Sequence, residues 1–263
     1  MLSGGFQERN LMTDRKKPKR VSLFIPCLVE HFLPHVGEAT ARVLARAGVE
    51  VDYPEAQTCC GQMAFKAGHH RDARRTARHF MEVFEASDFV VAPSGSCVGM
   101  VRKQYPVLFR EDAMGLDRAA VLGRKTYELT EFLVKVLGII DLGATWPGRA
   151  VYHDSCQLSR GLGVREEPRV LLSGVHRLEM MELERAETCC GFGGAFSLEF
   201  PVISEKMVED KAAAVVKSGA QFLISAEPGC LMNIGGYLEK QGEKVKAVHI
   251  AEVLANRAGE SWK

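Results

Sequence analysis

The sequence predicts an α/β protein made of two tandem, duplicated Rossmann-like parallel-sheet units related by pseudo-two-fold symmetry. Three observations carry this expectation. Eight cysteines fall into two sets of four with nearly the same spacing. The stretches around those cysteines repeat as well. Short apolar runs alternate with helical patterns in both halves.

The cysteines show the repeat most plainly. Cys27 is followed after 31 residues by the pair Cys59-Cys60, and 36 residues later by Cys97. Cys156 is followed after 32 residues by Cys189-Cys190, and 39 residues later by Cys230. Each pair sits in TCCG. "RVSLFIPC" at Arg20–Cys27 parallels "RAVYHDSC" at Arg149–Cys156, and "DFVVAPSGSC" parallels "QFLISAEPGC". "YELTEFLVKVLG" and "AVHIAEVLANRA" close the two units. The units are expected at 21–141 and 149–257, joined by the Gly- and Pro-containing "DLGATWPG" at Asp141–Gly148.

The elements follow from periodicity. Val21–Pro26, Val49–Tyr53 and Phe89–Ala92 read as strands in the first unit. Ala150–His153, Leu178–Leu183 and Phe222–Ser225 do so in the second. Continuous apolar runs of this kind suit strands buried on both faces. "PHVGEATARVLARAG" has helical spacing and stops at Gly48. "HRDARRTARHFMEVFEAS" aligns Ala73, Ala77, Phe80, Met81 and Phe84 on one face. "PVISEKMVEDKAAAVVKSG" opens with Pro201 and stops at Gly219, as a helix should. Residues 1–20, with Arg15, Lys16, Lys17, Lys19 and Arg20, read as a basic, solvated leader.

Composition excludes several classes. The chain has 263 residues, 46% hydrophobic and 25% charged, with net charge +1. That balance predicts no nucleic-acid partner. No apolar run is long enough to span a bilayer, and the N-terminus lacks the apolar core of a signal peptide. A cytoplasmic protein is expected. There is no Walker motif, G-x-G-x-x-G fingerprint or nucleophile elbow.

Eight cysteines in such a chain point to metal or redox chemistry. Cys27, Cys97, Cys156 and Cys230 are each expected directly after a strand. The CCG pairs are expected just beyond a strand and before a helix. In open α/β sheets ligands bind outside the carboxyl ends of the strands, so the four cysteines of each unit can converge there. Adjacent residues in an irregular turn can diverge toward different metal atoms. Gly61, Gly191, Gly193 and Gly194 let the backbone approach a bulky group. Four thiolates match the number that holds a 4Fe–4S cluster.

Cys27…Cys59-Cys60-Gly61…Cys97 and Cys156…Cys189-Cys190-Gly191…Cys230 resemble the cysteine-rich CCG domain family. That domain occurs twice in the cysteine-rich subunit of heterodisulfide reductase and in the iron–sulfur subunits of glycolate oxidase and anaerobic glycerol-3-phosphate dehydrogenase. Stand-alone lactate-utilisation proteins of the family also carry "VGEATARVLARAGVEVDYPEAQTCCGQMAF" and "TCCGFGGAFS"-like stretches. The resemblance runs from about Val21 to Ala255. It implies an iron–sulfur electron-transfer subunit, not a self-sufficient oxidoreductase, in a complex oxidising L-lactate to pyruvate. It implies one cluster per unit, held by all eight cysteines. It also implies a ferredoxin-like iron–sulfur protein and a third lactate-utilisation protein as partners. The fuller family motif ends in C-x-x-C. Here Met100 and Asn233 stand at the last position, which points away from a noncubane cluster and toward a cubane.

Other readings stay open at this level. Four thiolates also satisfy tetrahedral zinc, at one site or as a scaffold's staple. Vicinal cysteines could act as a thiol–disulfide pair. His153 and Asp154, just before Cys156, are candidates for a catalytic base, against a wet strand end or a helix cap. His69, His70 and His79 lie among Arg71, Arg74, Arg75 and Arg78 on one helix. A solvated face is the expectation there, against a docking patch for an acidic partner. His249 is expected to play a local structural role at a helix start.

Overall fold

The computed structural model describes residues 20–257. Two four-stranded parallel sheets form the framework. The first contains β1 (Arg20–Leu23), β2 (Glu50–Asp52), β3 (Val90–Ala92) and β4 (Thr126–Glu128), in the order β2-β1-β3-β4. The second contains β5 (Thr145–Tyr152), β6 (His176–Met181), β7 (Phe222–Ser225) and β8 (Lys246–His249), in the order β6-β5-β7-β8. The same order twice is the duplicated α/β architecture. In each sheet the strand order reverses beside the first strand, which creates a crevice at the carboxyl ends.

The three long helices form where the apolar spacing places them. They span Pro34–Arg46, His70–Phe84 and Pro201–Ser218. Proline opens two of them, and Gly219 closes the last at φ +69°. Ala73, Ala77, Phe80, Met81 and Phe84 are the buried face of the second.

Several expectations need correction. β4 and β8 bring each sheet to four strands. β5 begins at Thr145, so "TWPG" is strand and not linker, and Trp146 packs edge-on against Phe222 at 5.4 Å. β2 and β6 are edge strands with exposed residues, not strands buried on both faces. Of the basic leader, residues 1–19 lie outside the described residues. Arg20 is the first residue of β1 and pairs with Asp52 at 2.9 Å.

The core has three parts. One surrounds Phe24, Phe80, Phe84 and Tyr105 in the first unit, and one surrounds Val151, Val208, Leu223 and Ile234 in the second. The third is shared, with Val21, Leu44 and Val91 packed in one cluster with Tyr152, Ile224 and Leu254. The Ile250–Ala255 helix of the second unit packs on Pro34–Arg46 of the first. It buries Ile250, Val253 and Leu254, each worth roughly 1.5–3 kcal/mol of transfer free energy.

The contacts between units are reciprocal. The helix after β8 meets the helix after β1, and the helix after β4 meets Glu166–Ser173, its counterpart after β5. Likewise Gly95–Gly99 packs on Gln157–Leu162, and Pro228–Lys240 packs on Cys27–Phe32. When one element meets the other unit's partner and the converse also holds, the interface is isologous. That reciprocity is the pseudo-two-fold relation, and it sets the cysteine-bearing helix starts around the axis.

Candidate metal centre

The outer cysteines do not follow their strands directly. Each sits in the first turn of a helix or just before one. Cys27 begins Cys27–Phe32, Cys97 lies in Gly95–Gly99, Cys156 caps the π-helical turn Gln157–Leu162, and Cys230 is the third residue of Pro228–Lys240. The helix carrying Cys97 widens into a π-helical turn at Met100–Gln104. Wide turns of this kind are frequent at functional sites. The CCG pairs lie on loops, with six and seven residues between them and the ends of β2 and β6.

The two CCG turns are alike in detail. Gly61 and Gly191 have φ +83° and +85°. Each donates its N–H to the sulfur of the first cysteine of its pair, at 3.4 Å to Cys59 and 3.5 Å to Cys189. A Cβ at Gly191 would come within 2.7 Å of the Ser204 carbonyl oxygen, so only glycine fits.

The turn separates the two thiols of each pair. Cys59 faces Cys27, with the sulfurs 3.7 Å apart, while Cys60 faces Cys97. Cys189 faces Cys156, and Cys190 donates to Cys230 at 3.0 Å. Each quartet is therefore a continuous run of sulfurs, and the adjacent cysteines link its two arms. All eight thiols are free. They line a single cavity of about 900 Å³, counted out to its open mouth, together with Gln62, Met63, Lys66, Phe192 and Glu227.

The electrostatics repeat as well. Cys59 and Cys189 are held well below the usual thiol range. Hydrogen bonds from Cys27 and Cys156 are the largest cause, followed by those from Cys60 and Cys190, with the glycine N–H groups contributing. The thiols that share protons with them, Cys27, Cys60, Cys156 and Cys190, are pushed up by those contacts and by burial. Cys230 is lowered to about 5, chiefly by Cys190, with His153 contributing. The first quartet thus holds one low-pKa thiol and the second two, beside sulfurs that must lose protons on binding metal.

Neighbouring residues satisfy the loop backbone. The Cys60 carbonyl accepts Tyr105 Oη at 2.9 Å, and the equivalent Cys190 carbonyl accepts Asn233 Nδ2 at 2.8 Å. Asn233 therefore supports the turn from the place of the fifth cysteine. Met100, its counterpart, is buried in the first unit's core. Lys211 reaches from Pro201–Ser218 to the carbonyls of Arg185 and Ala186, at 2.6 and 3.1 Å. Glu227 accepts the Ser96 amide at 2.8 Å from across the interface. Burial, then the charge at Cys230, raises its pKa to about 7. Tyr105, Lys211 and Glu227 do not stand out in the sequence. Of the three, only Glu227 carries a signal that could have found it, a carboxylate where "EPGC" aligns with the serine of "SGSC".

The other flagged residues are also placed. His153 is fully buried and lies within 4.8 Å of the Cys190 and Cys230 sulfurs, so it is not at a wet edge. Asp154 is clamped by Arg169, at 2.8 and 2.5 Å. His249 caps Ile250–Ala255, accepting the Ala251 N–H at 3.1 Å. On the basic helix, Arg74 bonds the Leu108 carbonyl, Arg78 pairs with Asp112, and His79 meets the Ala56 carbonyl. Much of that face is engaged within the fold.

The donor set fits a thiolate-bound centre in each unit. Four sulfurs are gathered at the carboxyl end of each sheet, two buried and two half-buried. Fold and site together define a two-unit, cysteine-rich α/β protein whose thiols face one shared cavity.

The CCG cysteine-rich domain model matches residues 21–102 and 150–235, and the chain belongs to that family. It is 50% identical over 238 residues to Lactate utilization protein A of Bacillus subtilis, covering 90% of this chain and 100% of that one. It is 48% identical over 239 residues to Lactate utilization protein A of Bacillus cytotoxicus, covering 91% and 100%. A crystal structure of a hypothetical protein from Helicobacter pylori shares the fold, with TM-score 0.62 at 11% identity. The match covers 94% of this chain and 50% of that one. Among the described residues, no helix is long and apolar enough to cross a membrane.

Proposed function

We propose that this protein is a cytoplasmic iron–sulfur electron-transfer subunit of a complex that oxidises L-lactate to pyruvate. The observation that carries the proposal is the pair of cysteine quartets facing one cavity. In this reading the two units, the second beginning with β5 at Thr145, each supply one quartet. Cys27, Cys59, Cys60 and Cys97 would hold one 4Fe–4S cluster, and Cys156, Cys189, Cys190 and Cys230 the other. Such clusters supply single-electron transfer when bound. The chain's own part is to hold the sulfurs, donate the Gly61 and Gly191 amides to them, and keep water from the buried arm of each quartet.

Lactate as the substrate of the whole complex rests on the names and high identity of the relatives. A ferredoxin-like iron–sulfur protein and a third lactate-utilisation protein are the proposed partners. Leu198, Phe200, Val202 and Ile203 are exposed on consecutive turns just after the cavity-lining Gly193 and Gly194. An apolar face of that kind supports assembly.

The test is anaerobic purification with metal and sulfide analysis. Brown protein with iron and acid-labile sulfide is expected. Colourless protein with stoichiometric zinc and no sulfide, even after anaerobic reconstitution, makes it a zinc-stapled scaffold instead.

A further inference from the structure

The two quartets sit in different surroundings. Phe24 and His153 hold the same place, three residues before the first cysteine of each unit. Their backbones confirm it. Phe24 N–H donates to the Val91 carbonyl and His153 N–H to the Ile224 carbonyl, both at 2.9 Å. Val91 and Ile224 each stand six residues before the last cysteine of their unit. In the first unit the Phe24 ring packs edge-on against Phe80 at 4.7 Å, a wholly apolar arrangement. In the second unit the same place carries an imidazole.

That imidazole is set up as a donor beside two of the second quartet's sulfurs. Nδ1 lies 3.1 Å from the Ala186 carbonyl, which can only accept, so Nδ1 carries the proton. Lys211 binds the same carbonyl at 3.1 Å and fixes it from a second side. Nε2 is then the nitrogen with a lone pair. It is buried, makes no hydrogen bond of acceptable geometry, and has the Cys230 thiol as its polar neighbour. A buried, unpartnered polar atom is costly unless something outside the protein satisfies it. A ring nitrogen of His153 and the sulfurs of Cys190 and Cys230 all lie within 4.8 Å of one another. Metal-binding histidines characteristically donate their other N–H to a backbone carbonyl or a carboxylate in this way.

We propose that His153 Nε2 is a metal ligand of the second centre, so that the two centres differ in ligand set. The first is held by sulfur alone. The second takes one imidazole nitrogen and three of its quartet's four thiolates, the fourth cysteine being the ligand that the imidazole replaces. This rests on reading the quartets as metal centres. A neutral nitrogen in place of a thiolate makes a centre less negative and raises its potential, as histidine does in two-iron clusters. Electrons entering at the first unit then run downhill to the second.

The experiment is pulsed EPR on the anaerobically reconstituted full chain, reduced, with natural-abundance and ¹⁵N-histidine-labelled protein. A strong nitrogen coupling of the directly bonded kind, altered by the label, is expected. His153→Phe, which installs the first unit's residue, should abolish it, retain cluster iron, and lower one midpoint potential while the other stays put. Labelling needs no substitution, so the result stands even if that variant folds poorly. Loaded clusters with no nitrogen coupling overturn the proposal. So does the weak coupling of a histidine that merely hydrogen-bonds a thiolate. If the chain takes up neither iron nor sulfide, the iron–sulfur reading fails by itself. Titration with Co²⁺ then decides on His153. Mixed thiolate–imidazole bands lost in His153→Phe support its role as ligand, and a spectrum unchanged by the substitution refutes it.

Discussion

Ser94 and Glu227 hold the same position in the two units, three residues before the last cysteine, and they hydrogen-bond to each other at 3.2 Å. Equivalent residues that touch lie on the pseudo-two-fold axis. Glu227 also accepts the Ser96 amide at 2.8 Å and the Ser96 hydroxyl at 3.0 Å. The carboxylate therefore ties the second unit to the helix start that carries Cys97. Close by, a Cβ on Gly95 would come within 2.8 Å of Leu158, so the units touch there without room for a side chain.

Glu227→Ala should destabilise the metal-free chain by about 2–4 kcal/mol, because it strands the Ser96 amide and leaves the Ser94 and Ser96 hydroxyls only each other as partners. Glu227→Gln keeps an acceptor for the Ser96 amide and should recover much of the loss. Urea denaturation of both variants checks this. A change under about 0.5 kcal/mol in the alanine variant would show that the axis contact is dispensable.

Cysteine substitutions should separate the two centres. Every sulfur contact runs within a quartet, Cys27–Cys59 and Cys190–Cys230 among them. Cys59→Ser or Cys60→Ser should halve the bound iron and spare the second centre. Cys189→Ser or Cys190→Ser should do the reverse. Iron and sulfide per chain, with the EPR of the remaining centre, are the readout. A folded single variant that loses both centres would contradict the assignment of four cysteines to each unit.

Glu128 gives a pH dependence of its own. Its Oε2 caps a helix, accepting the Thr130 N–H at 2.8 Å, while Oε1 is buried without a partner. Burial raises its pKa to about 8. The folded chain therefore holds a proton there that the unfolded chain releases near the ordinary carboxyl value of 4.5. Stability should fall as pH rises from about 4.5 to about 8, by up to about 5 kcal/mol from this group. Glu128→Gln should flatten that slope and be the more stable form at pH 8.5. Thermal or urea midpoints across the range measure it, and an unchanged slope would remove Glu128 as its source.

The repeat and the cysteine sets were legible because spacing survives duplication even where other residues change. The long helices were legible from one-sided apolar spacing, as in Ala73–Phe84. β4 and β8 were not, because three or four residues carry no period and each strand runs straight into a helix, within "YELTEFL" and "AVHIAEV". β5 was obscured by Pro147 and Gly148, whose strand state depends on pairing with β6 across an irregular register. The unlike surroundings of the quartets were hidden for another reason. They depend on which side chain, Phe24 or His153, meets the sulfurs, and that is a matter of tertiary packing.

Oxidation of a 2-hydroxy acid needs a base for the hydroxyl proton and an acceptor for hydride or two electrons. Asp154 is one candidate base near the second quartet, but both its oxygens are bound by Arg169 at 2.8 and 2.5 Å, and Arg169 also lies over the Tyr152 ring. His153 is fully buried behind the thiols, with Nδ1 committed to the Ala186 carbonyl. Neither is placed to receive a substrate proton, and the sequence carries no dinucleotide fingerprint. The isolated, cluster-loaded chain should therefore show no turnover of L-lactate with an artificial acceptor, while the proposed complex should. Arg169→Met would free Asp154 and should still give no activity in the isolated chain. Robust turnover by the chain alone, lost in Asp154→Asn, would make Asp154 the base and move the chemistry into this subunit.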